Sequence, residues 1–298
     1  MTTAWMERPE GGGRLALSLF RAVALHLGRG TARLVLFPIA LYFLLRRAPE
    51  RRASRDYLSR VLGRPATLRD VYRHFHSFAA VTLDRVFLLS DRFSRFEVSS
   101  QGLEELHAAM DMGRGVLLFG AHFGSFEALR VLSLQRPDVS VRVVIDQEQN
   151  PTVSELLNAL NPHLAQTVIN ARQSGTTVAL AIRDALEQGA LVTLLADRPR
   201  PGNRTLPAAF LGGTARFPTA PWELAAALKA PVVLCLGVYR GGNRYDLQFE
   251  LLAERIDHDR RDRGAAMSAW ISRFAERLEA HARHDPYNWF NFYDFWQA

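Results

Sequence analysis

The hydrophobic pattern changes rhythm twice along the chain. Residues 15–45 are rich in Leu, Ala, Val and Phe, interrupted by Arg21, His26, Arg29 and Arg33, and the longest uncharged run, 34–45, is twelve residues. A regular spanning helix needs about 20 apolar residues. The run therefore predicts a helix that lies in a membrane surface or tilts into it, its Arg stems snorkelling; the alternative is the same helix packed on a core. The run lies late and no small-residue cleavage site follows it, so a cleaved signal peptide is not expected. Residues 68–88 place Leu68, Val71, Tyr72, Phe75, Phe78, Ala79, Thr82 and Val86 at spacings of three and four, the pattern of a core-facing helix.

Beyond residue 90, short β-rich runs at 93–98, 115–119, 139–145, 167–169, 190–195, 231–238 and 245–251 are interleaved with helical patterns at 103–110, 126–134, 153–160, 178–186 and 222–228. This alternation predicts βαβ units and an α/β fold, a mostly parallel mixed sheet flanked by helices. The last two strands are separated by Gly241-Gly242-Asn243, which suits an antiparallel hairpin. An amphipathic helix at 263–283 precedes an aromatic tail. No repeat and no linker is evident, so the expected organisation is a basic, hydrophobic, membrane-associating helical segment, 1–65, and one α/β domain, 66–298.

Composition narrows the function classes. At 298 residues, 48% hydrophobic and 22% charged, the chain is neither disordered nor collagen-like, and its one cysteine, Cys235, cannot form an internal disulfide. A reducing compartment is the simplest reading. The net charge of +7 is unevenly placed: residues 1–65 carry twelve Arg against four acids, a net of +8, and the remainder carries −1. The body therefore has no positive excess for a nucleic-acid footprint. Arg46, Arg47, Arg51, Arg52 and Arg55 instead suit anionic headgroups, at about 1 kcal/mol per basic residue near the surface.

The candidate chemistry lies in 115–132, where an apolar strand runs into a turn holding Gly120, His122 and Gly124 and then into a helical pattern with Glu127. Sites of open α/β sheets lie outside the carboxyl ends of strands, where this turn falls. In one regular helix, positions 122 and 127 would project about 140° apart. His122 must therefore precede the helix for Glu127 to reach its ring, and Gly124 permits that bend. A His oriented by a carboxylate is a general base; the alternative is a His that caps the helix and an acid favoured in its first turn. No enzyme nucleophile accompanies the pair: Ser125 lacks a hydrolase elbow, and Cys235 sits in an apolar strand. A base alone suits direct attack by a substrate hydroxyl. Residues 197–204, Asp197-Arg198-Pro-Arg-Pro-Gly-Asn-Arg204, form a punctuated loop with three Arg that is either a phosphate-holding loop or a solvated one. The other His residues show no metal-ligand grouping, and no nucleotide-binding glycine loop occurs.

The segment Gly120-Ala-His122-Phe-Gly-Ser-Phe-Glu127 resembles the His-x4-Asp/Glu motif of the glycerolipid acyltransferase superfamily, and more narrowly the bacterial lipid A biosynthesis (late) acyltransferases. The similarity extends through Asn150-Pro151, Asn170-Ala-Arg172, Leu195-Ala-Asp197, Phe210-Leu-Gly-Gly-Thr-Ala and Ala230-Pro231-Val-Val. Two departures, Ile145-Asp146-Gln147 where lipid A members usually carry Arg and an aromatic rather than basic tail, bring the chain nearer to the relatives of aryl-polyene pathways. The resemblance implies acyl transfer from acyl carrier protein, or less often coenzyme A, to a hydroxyl of a lipid or lipid-linked acceptor at the cytoplasmic face of the inner membrane. It also implies His122 as base oriented by Glu127, Arg172, Asp197 and Arg198 toward substrate, and no cofactor or metal. The reading from another class is an inert membrane-docking scaffold whose His-Glu pair is structural. The tail, 286–296, is expected to pack over the core edge or to touch the acceptor.

Overall fold

In a computed structural model, residues 14–131, 139–146, 151–199, 202–257 and 263–296 are described. Three helices come first: α1 (Arg14–Arg46), α2 (Ala48–Leu62) and α3 (Leu68–Leu89). The strands are β1 (Glu97–Gln101), β2 (Val116–Gly120), β3 (Val141–Ile145), β4 (Val168–Asn170), β5 (Leu191–Leu195), β6 (Thr205–Phe210), β7 (Gly213–Pro218), β8 (Val232–Gly241) and β9 (Arg244–Ala253). Between and after them run α4 (Leu103–Met110), α5 (Pro151–Leu160), α6 (Pro162–Gln166), α7 (Gly175–Glu187), α8 (Ala220–Leu228) and α9 (Arg263–His284). Seven strands form one sheet in the order β1-β9-β8-β2-β5-β3-β4, with every neighbouring pair parallel except β8 and β9. The protein is thus α/β with a mostly parallel sheet flanked by helices, as the alternation predicts.

The near-continuous Val, Leu and Phe runs of the central strands follow from burial on both faces. Leu117, Phe119, Val192 and Leu234 point into one core with Tyr57, Phe75, Trp222, Phe274 and Trp289. Val116, Leu118, Leu191 and Val233 point into the other with Leu36, Val81, Phe87 and Leu106. Helix α3 feeds both cores, Val71 and Phe75 on one side and Val81 and Phe87 on the other, so it wraps the sheet. Its start is fixed by a capping box in which the Thr67 hydroxyl accepts from the Asp70 amide and Asp70 accepts from the Thr67 amide.

Helix α1 changes direction at Gly28, whose φ of 82° no ordinary helix residue adopts. Beyond it, Ala32, Leu36, Ala40 and Leu44 recur every four residues and are buried against α3, while Leu34, Phe37, Leu41, Tyr42 and Leu45 face outward. Two of the Arg residues that interrupt the apolar run, Arg29 and Arg33, fasten the helix to the body. Arg29 bonds both carboxylate oxygens of buried Asp84 at 2.7 and 2.8 Å, and Tyr245 donates its hydroxyl to the same Asp84 at 2.9 Å. Arg29 and Arg33 also donate to the Gly242 carbonyl at the tip of the β8–β9 hairpin, and Arg33 donates to the Tyr239 hydroxyl.

Three details differ from the pattern. Residues 93–95 are a 3-10 turn, and the strand begins at Glu97. Residues 126–130 are 3-10 rather than α-helical. Residues 205–218 form a two-stranded antiparallel hairpin whose alternating burial is faint in the sequence because Pro207, Ala208, Ala209 and Ala215 occupy so many of its positions.

Candidate active site

Strands β2 and β5 are parallel neighbours with Gly120 opposite Leu195, and the Ala196 amide donates to the Gly120 carbonyl at 2.9 Å. Two residues past each strand end stand His122 and Asp197, so the register of the sheet brings them together at its carboxyl edge. His122 Nδ1 lies 2.8 Å from Asp197 Oδ1, and the His122 amide donates to Asp197 Oδ2 at 3.1 Å. A carboxylate only accepts, so the imidazole carries its proton on Nδ1 and presents the Nε2 lone pair outward. No group among the described residues is hydrogen bonded to Nε2, and the side chain is 37% exposed.

The electrostatics favour a neutral imidazole beside an ionised carboxylate. Desolvation, and then the Arg198 guanidinium, hold His122 below the ordinary histidine range by more than Asp197 raises it. Asp197 is fully buried, which alone would push its carboxyl up, but His122, Arg198 and the donated N–H groups bring it well below the usual carboxylate range. Arg198 Nε stands 3.6 Å from Asp197 Oδ2, and Arg198 Nη2 donates to the Phe290 carbonyl at 2.5 Å.

The expected His122–Glu127 contact is not the one formed. Glu127 Oε1 lies 2.6 Å from Arg85 Nε on α3, and Oε2 accepts from the Ser125 hydroxyl at 3.1 Å. The cause is the course of the turn. Gly124 adopts a φ of 58°, the Gly124 amide donates to the Asn288 carbonyl, and the Ser125 amide donates to the Gly237 carbonyl at 2.7 Å. These bonds pin the turn to the C-terminal tail and to β8 and aim the following 3-10 helix at α3. A Cβ on Gly124 would meet the Gly237 oxygen at 1.9 Å, so only glycine allows this approach.

Arg172 follows β4, the outermost strand of the same carboxyl edge, and is exposed. Of the residues named from the sequence, the fold brings His122, Asp197 and Arg198 into one cluster and places Glu127 beside Arg85 instead. The turn amides, natural candidates for oxyanion donors, are already engaged: those of His122, Phe123, Gly124 and Ser125 all donate within the protein. Sequence reasoning missed Trp289 and Arg85. The indole N–H of Trp289 donates to Asp197 Oδ2 at 3.1 Å from 92 residues away, a contact no local spacing announces. Cys235 is buried in β8, where desolvation pushes its thiol up, out of the range of a nucleophile.

An imidazole nitrogen with no hydrogen bond among the described residues, backed by a buried carboxylate, thus stands at the carboxyl edge of a mostly parallel sheet in an α/β protein that also carries one long apolar helix. The chain belongs to the bacterial lipid A biosynthesis acyltransferase family, whose model matches residues 18–298. That membership makes it an acyltransferase of the lipid A biosynthetic type. No curated protein matches the chain.

Proposed function

We propose that the protein transfers a fatty acyl group from the thioester of acyl carrier protein, with coenzyme A as the lesser alternative, to a hydroxyl of a lipid or lipid-linked acceptor. The acceptor O–H gives its proton to His122 Nε2 as its oxygen attacks the thioester carbonyl carbon. The tetrahedral oxyanion then collapses, the C–S bond breaks, and His122 returns the proton to the departing sulfur. Asp197 holds the tautomer and stabilises the imidazolium formed in between. Arg198, whose field already reaches the ring, is a cation available to the oxyanion, and Glu127 acts on the site by holding Arg85. Arg172 extends the basic rim toward the donor's phosphate. The observation that carries the reading is the 2.8 Å His122–Asp197 pair, with no hydrogen bond to Nε2 among the described residues.

The reaction is assigned to the cytoplasmic face of the inner membrane. The outward apolar face of α1 and the Arg cluster at residues 46–55 support that assignment, the first as a surface for acyl chains and the second for anionic headgroups. The test is turnover of acyl-carrier-protein thioester with membrane lipid, the product read by mass spectrometry. His122→Ala is expected to abolish transfer with the fold intact, and Asp197→Asn to lower it on the order of 10²- to 10⁴-fold. Full turnover by a folded His122→Ala protein would sink the mechanism; full turnover by Asp197→Asn would return the orienting role to Glu127.

A further inference from the structure

The aromatic tail reaches the catalytic pair rather than merely covering the core. Asp285–Trp296 runs past the His122 turn as a strap: the Phe290 amide donates to the His122 carbonyl at 2.8 Å, and the Asn288 carbonyl accepts from Gly124 at 2.8 Å. Trp289 is fully buried, packed edge-on against Tyr57, Phe210 and Phe295 at centroid distances of 5.0, 5.2 and 4.9 Å. Its backbone is anchored in turn. The carbonyl of Trp289 accepts from His74 Nε2 at 3.0 Å, which leaves His74 Nδ1 to accept the Ser54 hydroxyl at 2.8 Å. A continuous chain of bonds thus runs from α2 and α3 through Trp289 to Asp197 and on to His122.

We propose that Trp289 is a positioning residue of the active site, its indole N–H fixing the second oxygen of Asp197 so that the first stays aligned on His122 Nδ1. The inference deepens the acyl-transfer reading and rests on it. Two features separate this role from simple packing. A buried indole N–H needs a partner, and a carbonyl would have served; here the partner is the one carboxylate that faces the imidazole. Moreover, Asp197 Oδ2 also takes the His122 amide, so the two donors at Oδ2 hold the carboxylate in plane and leave Oδ1 for the ring.

The test removes the N–H and nothing else: Trp289 is replaced by 3-benzothienylalanine, an isostere with sulfur in place of N–H, with Trp289→Phe as a second variant. The readout is the titration of His122 by ¹⁵N-histidine NMR on the full chain in micelles, its signal assigned by its absence from His122→Gln. Among the described residues, the charged groups facing the ring are Asp197 and Arg198 from the β5 loop and Arg85 from α3, with Glu127 behind Arg85 and Tyr293 beneath Arg198. None of these is altered by the isostere. With the donor gone the carboxylate is free to turn off Nδ1, the imidazolium is less well stabilised, and the His122 midpoint is expected to fall by about half a unit to one unit. In the acyl-transfer assay kcat is expected to fall by about tenfold with KM unchanged, the signature of an interaction made for the transition state. A folded isostere variant with an unmoved His122 midpoint overturns the proposal. Since the NMR measurement needs no substrate, it can fail while His122→Ala still abolishes turnover, and it can succeed if that reading fails.

Discussion

Removing the carboxylate of Asp84 is expected to loosen the grip of α3 on α1. Asp84 is fully buried on α3, and both its oxygens are taken by the Arg29 guanidinium, whose side chain is only 12% exposed. Asp84→Ala leaves that cation without its counter-ion and the Tyr245 hydroxyl without its acceptor. Breaking a buried pair from one side costs about 3–5 kcal/mol. The Gly242 carbonyl still accepts from Arg29, so the lower end applies, about 3 kcal/mol. In a chain of this size that corresponds to a fall in Tm of about 5 °C. The assay is thermal unfolding by circular dichroism at fixed scan rate in detergent, with limited proteolysis reporting release of α1. The double variant Arg29→Met with Asp84→Leu removes both charges and is expected to recover most of the loss, because an apolar pair of similar volume often replaces a buried ion pair at little cost. A double variant as unstable as the single one, or a single variant with an unchanged Tm, would refute the claim that α1 is held by this pair.

Two further outcomes follow from other parts of the site. Gly124→Ala combines a left-handed backbone with a Cβ driven to 1.9 Å from the Gly237 oxygen; it is expected to cost about 2–4 kcal/mol and to displace the His122 turn, read as a lowered urea midpoint together with lost transfer, whereas an unperturbed midpoint would contradict the close approach. His74 is buried and neutral, desolvation pushing it down to about 3, so its folded value lies below the unfolded one. A depressed value means that the stability it supports is complete above about pH 6.5 and is lost as pH falls toward 3, with a slope of up to about 1.4 kcal/mol per unit. His74→Gln is expected to be less stable than the parent at pH 7.5 yet to lose that slope between pH 6.5 and 5; urea midpoints at three pH values decide it, and equal slopes would remove His74 as the cause.

The fold was legible where periodicity is strong. The buried runs at 115–119 and 190–195 and the helical stretches at 103–110 and 178–186 carry their own signal, and their alternation implies a parallel sheet. The hairpin at 205–218 was not legible because, although Ala208, Phe210, Ala215 and Phe217 face the core and Pro207, Ala209 and Thr214 face out, alanine and proline at about half of these positions leave the alternation faint in the sequence. The site divides in the same way. His122 and Asp197 could be named because each follows a strand end, but their partnership depends on β2 and β5 being adjacent, although they are separated in sequence by β3 and β4. A spacing of five along one segment drew attention to Glu127 instead. The bonds of the turn to β8, which no local pattern encodes, turn Glu127 toward Arg85.

The same distinction governs the apolar helix. Gly28–Arg46 is 19 residues with a mean hydropathy of 1.3, a length of about 28 Å that approaches the hydrocarbon thickness of a bilayer. Length is nevertheless the weaker criterion. One face, Ala32, Leu36, Ala40 and Leu44, is consumed by α3, and the N-terminal end is tied through Arg29 to Asp84 and through Arg33 to Tyr239. Crossing a bilayer would strip Arg29 from Asp84 and leave a carboxylate buried in the core without its cation, the cost worked out above. The outward residues Leu34, Phe37, Leu41 and Leu45 follow one another at spacings of three and four, a single stripe wide enough to enter the acyl boundary from the side. On the proposed membrane reading, Arg29 and Arg33 are therefore what convert a segment of nearly spanning length into one that lies along the surface, holding the body and its His122 turn at the level of the lipid.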